Sequence, residues 1–373
     1  MGFAELSGSS DPMESLRGVP DRVLAALDRA DRGVIVLAVD GLAYSVAAQQ
    51  WRPSTLDRLR STVPSTSTTA WLTSVTGVGP ERHGVPGMVF RLPAEGTLVY
   101  AVNGRTLATG AADSRARPGL LWPQPTMFQR AGELGVRCVA LGREMDGLTG
   151  PWAQAVLAGC ARVAVTEPAR LAEQAADPRT LVDGVASDVT EVLRTDPATG
   201  PVLLWAYLNL DDYVHRHGYD DAVRTALTRL AEHARQWAAL GWTVLAHADH
   251  GQVRCDPDPD LVRAFAAVDD PADCLLPAGG AGRIRWLYPK PGRIERVAQR
   301  LADALGDAAR VLPVEQVPEL GGAGAAQALT GRVGPVVAIA ASPRFPVPDP
   351  ALRYEHGGLD DEEMHVPFAA WLP

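Results

Sequence analysis

Six short, predominantly apolar runs constrain this chain more than any other feature: 34–39, 136–141, 202–208, 243–246, 284–287 and 336–340. Runs this short and this apolar read as strands buried on both faces, the habit of a mostly parallel sheet covered by helices. The stretches between them carry helical periodicity. Within 221–240, Val223, Leu227, Leu230, Ala234 and Trp237 recur at three- and four-residue spacing, and Ile294, Val297, Leu301 and Leu305 do the same within 292–305. Strands alternating with helices imply crossover units and an α/β layered fold. A length of 373 residues allows two ordinary domains or one large one. No linker divides the chain, so residues 19–373 are expected to form a single domain. The Gly/Pro-rich segment 85–125 and the stretch 254–282 read as long excursions from the sheet that build a small cap.

Three of the strand patterns end in an aspartate: Asp40, Asp211 and Asp249. Carboxyl ends of strands line the ligand crevice in open α/β sheets. One such Asp is adequately explained as a helix N-cap, but three together, two of them with histidine neighbours, call for more. His215 follows Asp211 by four residues, which on a helix puts both on one face within reach of one metal. His250 and Gly251 follow Asp249 directly, and a second His-Gly pair stands at His356-Gly357. Carboxylate and neutral imidazole together suit a borderline cation such as zinc.

A run of five hydroxyl residues, Ser65 to Thr69, precedes an apolar stretch that looks like a helix start. Helix capping is the ordinary role for such residues. The functional alternative is a hydroxyl nucleophile at a helix N-terminus, where unpaired N–H groups favour an oxyanion. A free hydroxyl needs a base or a metal to attack at neutral pH. No G-x-S-x-G elbow is present, which leaves a metal as the activator.

With these motifs in order, the chain resembles the alkaline phosphatase superfamily, specifically its nucleotide pyrophosphatase/phosphodiesterase branch, from about Gly33 to Pro373. The resemblance rests on VDG at 39–41, PSTS at 64–67, TGVGPERHG at 76–84, LDDYVHRHG at 210–218, ADHG at 248–251 and EHGG at 355–358. It implies a three-layer α/β sandwich with a mostly parallel central sheet. It implies two divalent metal ions, Zn2+ before others, one held by Asp40, Asp249, His250 and the nucleophile oxygen, the other by Asp211, His215 and His356. Ser67 falls at the nucleophile position, both from Pro64 and from Thr76, with Thr66 and Thr68 as second choices. The carboxylates of Asp40, Asp211 and Asp249 with an ionised Ser67 would balance two divalent cations, leaving a near-neutral cluster able to accept a phosphoryl anion. The family commonly has Asn three residues after the nucleophile, where this chain has Ala70.

The implied function is hydrolysis of phosphodiester or pyrophosphate bonds in small, nucleotide-type substrates through a covalent seryl intermediate. A phosphomonoesterase on the same metals is the alternative, with Arg82, Arg91 or Arg143 supplying extra charge. A phosphonate hydrolase or an inactive binding homologue are further rivals. Trp122, Phe128, Trp205 and Tyr213 are candidate platforms for a base. A net charge of −9 opposes binding to nucleic-acid polymers. No apolar run approaches the roughly 18 residues of a membrane span, and residues 1–18 read as a flexible tail without a secretory core, so a cytoplasmic address is expected. Four widely spaced cysteines without CxxC argue against a disulfide scaffold. The sequence leaves oligomeric state open.

Overall fold

The structure is a computed structural model that describes residues 11–107, 119–148, 150–195, 200–322 and 325–373. Its main sheet has seven strands in the order Thr55–Arg60, His365–Trp371, Thr243–Ala248, Gly33–Asp40, Val202–Asn209, Arg137–Leu141, Ala161–Arg162. The pairings among the last five are parallel, and His365–Trp371 pairs antiparallel with both of its neighbours. The strand GVIVLAVD is buried along its whole length, as its composition requires. In register, Asp40 pairs with Asn209 and Val39 with Ala248. Asp40, Asp211 and Asp249 therefore leave the sheet at one edge, at the carboxyl ends of three adjacent parallel strands.

Two runs expected in that sheet lie elsewhere. Ile284–Pro289 and Val336–Ala340 belong to a six-stranded sheet with Ala309–Pro313, Cys274–Ala281, Val89–Leu92 and Thr97–Tyr100, whose observed pairings are antiparallel. Strands from both excursions, 85–125 and 254–282, join this sheet, so the expected loop-built cap is a sheet with its own core. The misreading has a physical cause. Ile284, Trp286, Val337 and Ile339 face the main core, whereas Leu287, Val336 and Ala338 pack with Phe265, Val297 and Leu301 in a second one. Burial on both faces removes the alternation that marks an antiparallel strand, so such a run looks the same in either sheet.

The segment expected as a tail also differs in part. Pro12–Glu14 and Leu16–Gly18 form two 3-10 turns, Leu16 is buried in the core, and Arg17 pairs with Glu81 at 3.0 Å. Residues 1–10 lie outside the described residues. No helix among the described residues is long and apolar enough to cross a membrane.

Candidate metal centre

The helix Asp211–His217 starts two residues beyond its strand, and its pitch brings His215 Nε2 to 3.1 Å from Asp211 Oδ2. His356 Nε2 lies 3.9 Å from Asp211 Oδ1. These three residues form one group whose ligand atoms all lie within 4.8 Å of one another. A second group of the same tightness joins Asp40, Asp211 and His250. Asp211 thus belongs to both groups, whereas the expected partition gave it to one. Asp249 stands at the margin of the second group, with Oδ2 3.2 Å from His250 Nε2 and Oδ1 accepting from the Gly41 N–H.

The imidazoles are aimed by the backbone. Nδ1 of His215 bonds the Tyr354 carbonyl at 2.7 Å, Nδ1 of His356 bonds that of Ser65 at 2.8 Å, and Nδ1 of His250 bonds that of Gly251 at 3.2 Å. A carbonyl can only accept, so each Nδ1 carries a proton and each Nε2 is turned toward the centre. The rings of His250 and His356 stack at 3.8 Å. Asp40 is oriented likewise: Tyr207 Oη and Trp71 Nε1 both donate to its Oδ2, which leaves Oδ1 for the centre. Gln252 Nε2 donates to Asp211 Oδ1. Gly41, at φ +76°, passes so close to Asp211 that a Cβ there would meet its Oδ1 at 2.9 Å. Tight chain crossing and left-handed geometry both call for glycine after Asp40.

The electrostatics favour a cation. Burial, then the charges of Asp249 and Asp211, push the Asp40 carboxyl well above its ordinary range. Burial and Asp211 raise Asp249 to about 7. Burial also works against an ionised Asp211, but His215, then His356 and His250, override it and hold its carboxyl below the usual range. His215 is raised to about 10 because the Asp211 charge and hydrogen bond overcome its burial. Burial foremost lowers His250 and His356 to about 4, so both imidazoles are neutral and available as ligands at pH 7. Asp249 Oδ2 is buried without a hydrogen-bond partner. Crowded carboxylates, an orphaned carboxylate oxygen and the neutral imidazoles of His250 and His356, with His215 aimed beside them, fit divalent metal ions.

Ser67 is the first residue of the helix Ser67–Thr76. Its Oγ lies 3.0 Å from His250 Nε2 and 3.3 Å from Asp40 Oδ1. Thr66 is the N-cap, yet its side chain makes no capping bond, so the capping explanation does not account for the hydroxyl run. Thr66 and Thr68 are fully buried, and neither hydroxyl has a partner. Ser67 is the partly exposed member of the three. Ala70 is buried in the core and offers no side-chain donor.

Sequence reasoning missed the support under His356. Ser65 Oγ accepts from the Gly357 N–H at 3.0 Å and donates to the Gly358 carbonyl. Glu363 accepts from the N–H groups of Gly358 and Asp360 and pairs with Arg283 at 3.1 Å, both side chains being almost wholly buried. Only the DDEE run at 360–363 hints at it, as the capping box Asp360–Glu363. Glu363→Ala would strand the Arg283 charge and two backbone donors. It is expected to cost about 3 kcal/mol or more of stability, read as a lower denaturant midpoint at unchanged slope.

A sequence profile described as type I phosphodiesterase / nucleotide pyrophosphatase matches residues 34–352. The chain belongs to that family. Among solved structures, the murine ectonucleotide pyrophosphatase/phosphodiesterase 5 is similar, at TM-score 0.64 and 16% identity, over 92% of this chain and 88% of that one. An inactive form of the murine protein, in complex with AMP, is similar at TM-score 0.62 and 18% identity, over 92% and 88%. Phosphonoacetate hydrolase from Sinorhizobium meliloti 1021, in complex with phosphonoformate, matches at TM-score 0.59 and 18% identity, over 91% and 90%. No curated protein sequence matches the chain. The type I phosphodiesterase family is one of hydrolases, and this member is a phosphoester hydrolase with Asp/His clusters able to hold divalent metals.

The four aromatic residues that sequence offers as candidate base platforms are engaged otherwise. Phe128 and Trp205 are fully buried in the core. Trp122 lies under the Arg332 guanidinium at 4.4 Å, and Tyr213 bonds Asp220 and packs its ring on His217.

Proposed function

We propose that the chain is a two-zinc hydrolase of phosphodiester or pyrophosphate bonds that works through a phosphoseryl-type intermediate on Ser67. The observation that carries this reading is the position of Ser67 Oγ, within 3.3 Å of both Asp40 Oδ1 and His250 Nε2 and partly open to a ligand. Asp40, Asp249 and His250 would hold one ion beside Ser67, and Asp211, His215 and His356 the other, with the Asp211 carboxylate within reach of both. Bound there, the cations supply Lewis acidity that favours the ionised hydroxyl and offsets charge on the phosphoryl and departing oxygens. Ser67 Oγ attacks phosphorus, the P–O bond to the leaving group breaks, and water then attacks phosphorus to release Ser67. The helix start contributes the N–H groups of Ser67 and Thr68, which have no intrahelical acceptor by position.

The charge around the centre favours a diester over a monoester dianion. Arg143 is committed to Asp188 and Gln174, Arg82 is exposed and bonds Gln124, and Arg91 stands on the second sheet. Among the described residues, the ion pairs of Asp40, Asp211 and Asp249 involve histidines and no arginine.

Turnover of bis-p-nitrophenyl phosphate, a dinucleotide and p-nitrophenyl phosphate tests the proposal. The diester is expected to exceed the monoester, chelation to abolish turnover, and zinc to restore it better than magnesium. Full activity in excess chelator, or a monoester preference, contradicts it.

A further inference from the structure

Among the described residues, Asp211 is the one common to both ligand groups, and it is held from two sides. On one side the Gly41 backbone runs against its carboxylate. On the other stands Gln252, three residues after Asp249 and only 2% exposed. Its Nε2 donates to Asp211 Oδ1 at 2.6 Å and to the Asp211 carbonyl at 3.1 Å. An ionised carboxylate and a carbonyl can only accept, so the amide nitrogen faces them and Oε1 is turned away. That oxygen is buried and has no hydrogen-bond partner. Buried polar atoms are ordinarily paired; here an acceptor stays bare while the amide nitrogen serves one residue twice.

The amide is itself fixed by the chain around it. Gly251 passes so close to Ala43 and the Glu362 carbonyl that a side chain there would collide with both, and its N–H donates to the Glu363 carbonyl at 3.0 Å. From this clamped glycine, His250 reaches Asp40 and Gln252 reaches Asp211. The Gln252 N–H donates to Tyr219 Oη at 3.0 Å, which also accepts from the Ala43 N–H and donates to the Gly41 carbonyl at 2.8 Å. One phenol thus ties the Gln252 backbone to the segment that follows Asp40.

We propose that Gln252 is a positioning residue that keeps the Asp211 carboxylate common to the two metal positions. Without the amide, Asp211 Oδ2 still has His215 Nε2 at 3.1 Å, one helical turn on. Oδ1, in contrast, loses the one hydrogen bond it accepts among the described residues. The carboxylate then settles with His215, and the Asp40–Asp211–His250 group is the one that opens. Removing the hydrogen-bond partner of a metal ligand ordinarily weakens metal binding by roughly 10- to 100-fold. The proposal rests on the two-ion reading and names the residue that makes the two positions share a ligand.

Zinc dissociation constants of the full chain, measured by competition with a chromophoric chelator, test it without turnover. Gln252→Met keeps the side-chain volume and removes the donor, and Gln252→Leu does the same with a branched chain. The wild type is expected to bind two ions. Gln252→Met is expected to bind one as the wild type does and the other roughly 10- to 100-fold more weakly, with the circular dichroism of the folded chain retained. In the Asp211→Ala background the same substitution is expected to change zinc affinity by less than about twofold, because its effect passes through the missing carboxylate. Two ions bound by Gln252→Met and Gln252→Leu as tightly as by the wild type overturn the positioning role, since packing alone survives both changes. Equal losses with and without Asp211 overturn it too, because Gln252 then acts through another group. A wild type that binds a single equivalent of zinc overturns the two-ion reading, and the shared position with it.

Discussion

Ser67→Ala is expected to bind metal as the wild type does and to lose diester turnover by about 10³-fold or more. The substitution removes the oxygen that sits 3.0 Å from His250 Nε2 and 3.3 Å from Asp40 Oδ1, and leaves every carboxylate and imidazole of the centre in place. Ser67→Thr restores a hydroxyl and should keep substantial activity. Thr68→Ala should cost little, since the Thr68 hydroxyl is buried and makes no hydrogen bond that the change would break. Steady-state kinetics beside metal analysis of the three variants separates loss of the nucleophile from loss of the metal site. A fully active Ser67→Ala enzyme would show that another atom attacks.

Asp211→Ala carries the second large effect. Because Asp211 belongs to both ligand groups, its removal is expected to reduce bound metal at both positions and to lower turnover on the order of 10³-fold. Asp249→Ala removes a carboxylate that stands at the margin of one group, so it should retain more metal than Asp211→Ala. Elemental analysis after dialysis against trace zinc gives the ranking. Two equivalents of metal in Asp211→Ala would contradict the shared role.

The centre was legible in the sequence because its residues obey local rules. A strand buried on both faces that ends in Asp announces a sheet edge, and Asp211 with His215 is one helical turn. The resemblance to a known motif set supplied what spacing alone does not, above all His356, which arrives from the far end of the chain. What stayed hidden was non-local. Glu363, Ser65, Tyr207 and Trp71 orient the ligands through hydrogen bonds across the fold, and a buried Tyr or Trp in a strand or helix reads simply as core. The second sheet escaped for the same reason. Ile284–Pro289 and Val336–Ala340 are apolar on both faces, so pairing direction leaves no mark on composition.

The central claim, a covalent step on Ser67 at the metal centre, is tested most directly by trapping. The zinc-loaded protein is quenched during turnover of a slow diester, digested, and the modified peptide sequenced by mass spectrometry. A phosphoryl or phosphodiester adduct on Ser67, absent from Ser67→Ala and from chelated enzyme, is the predicted result. An adduct on Thr66 or Thr68, or active enzyme that accumulates none under single-turnover conditions, would contradict it.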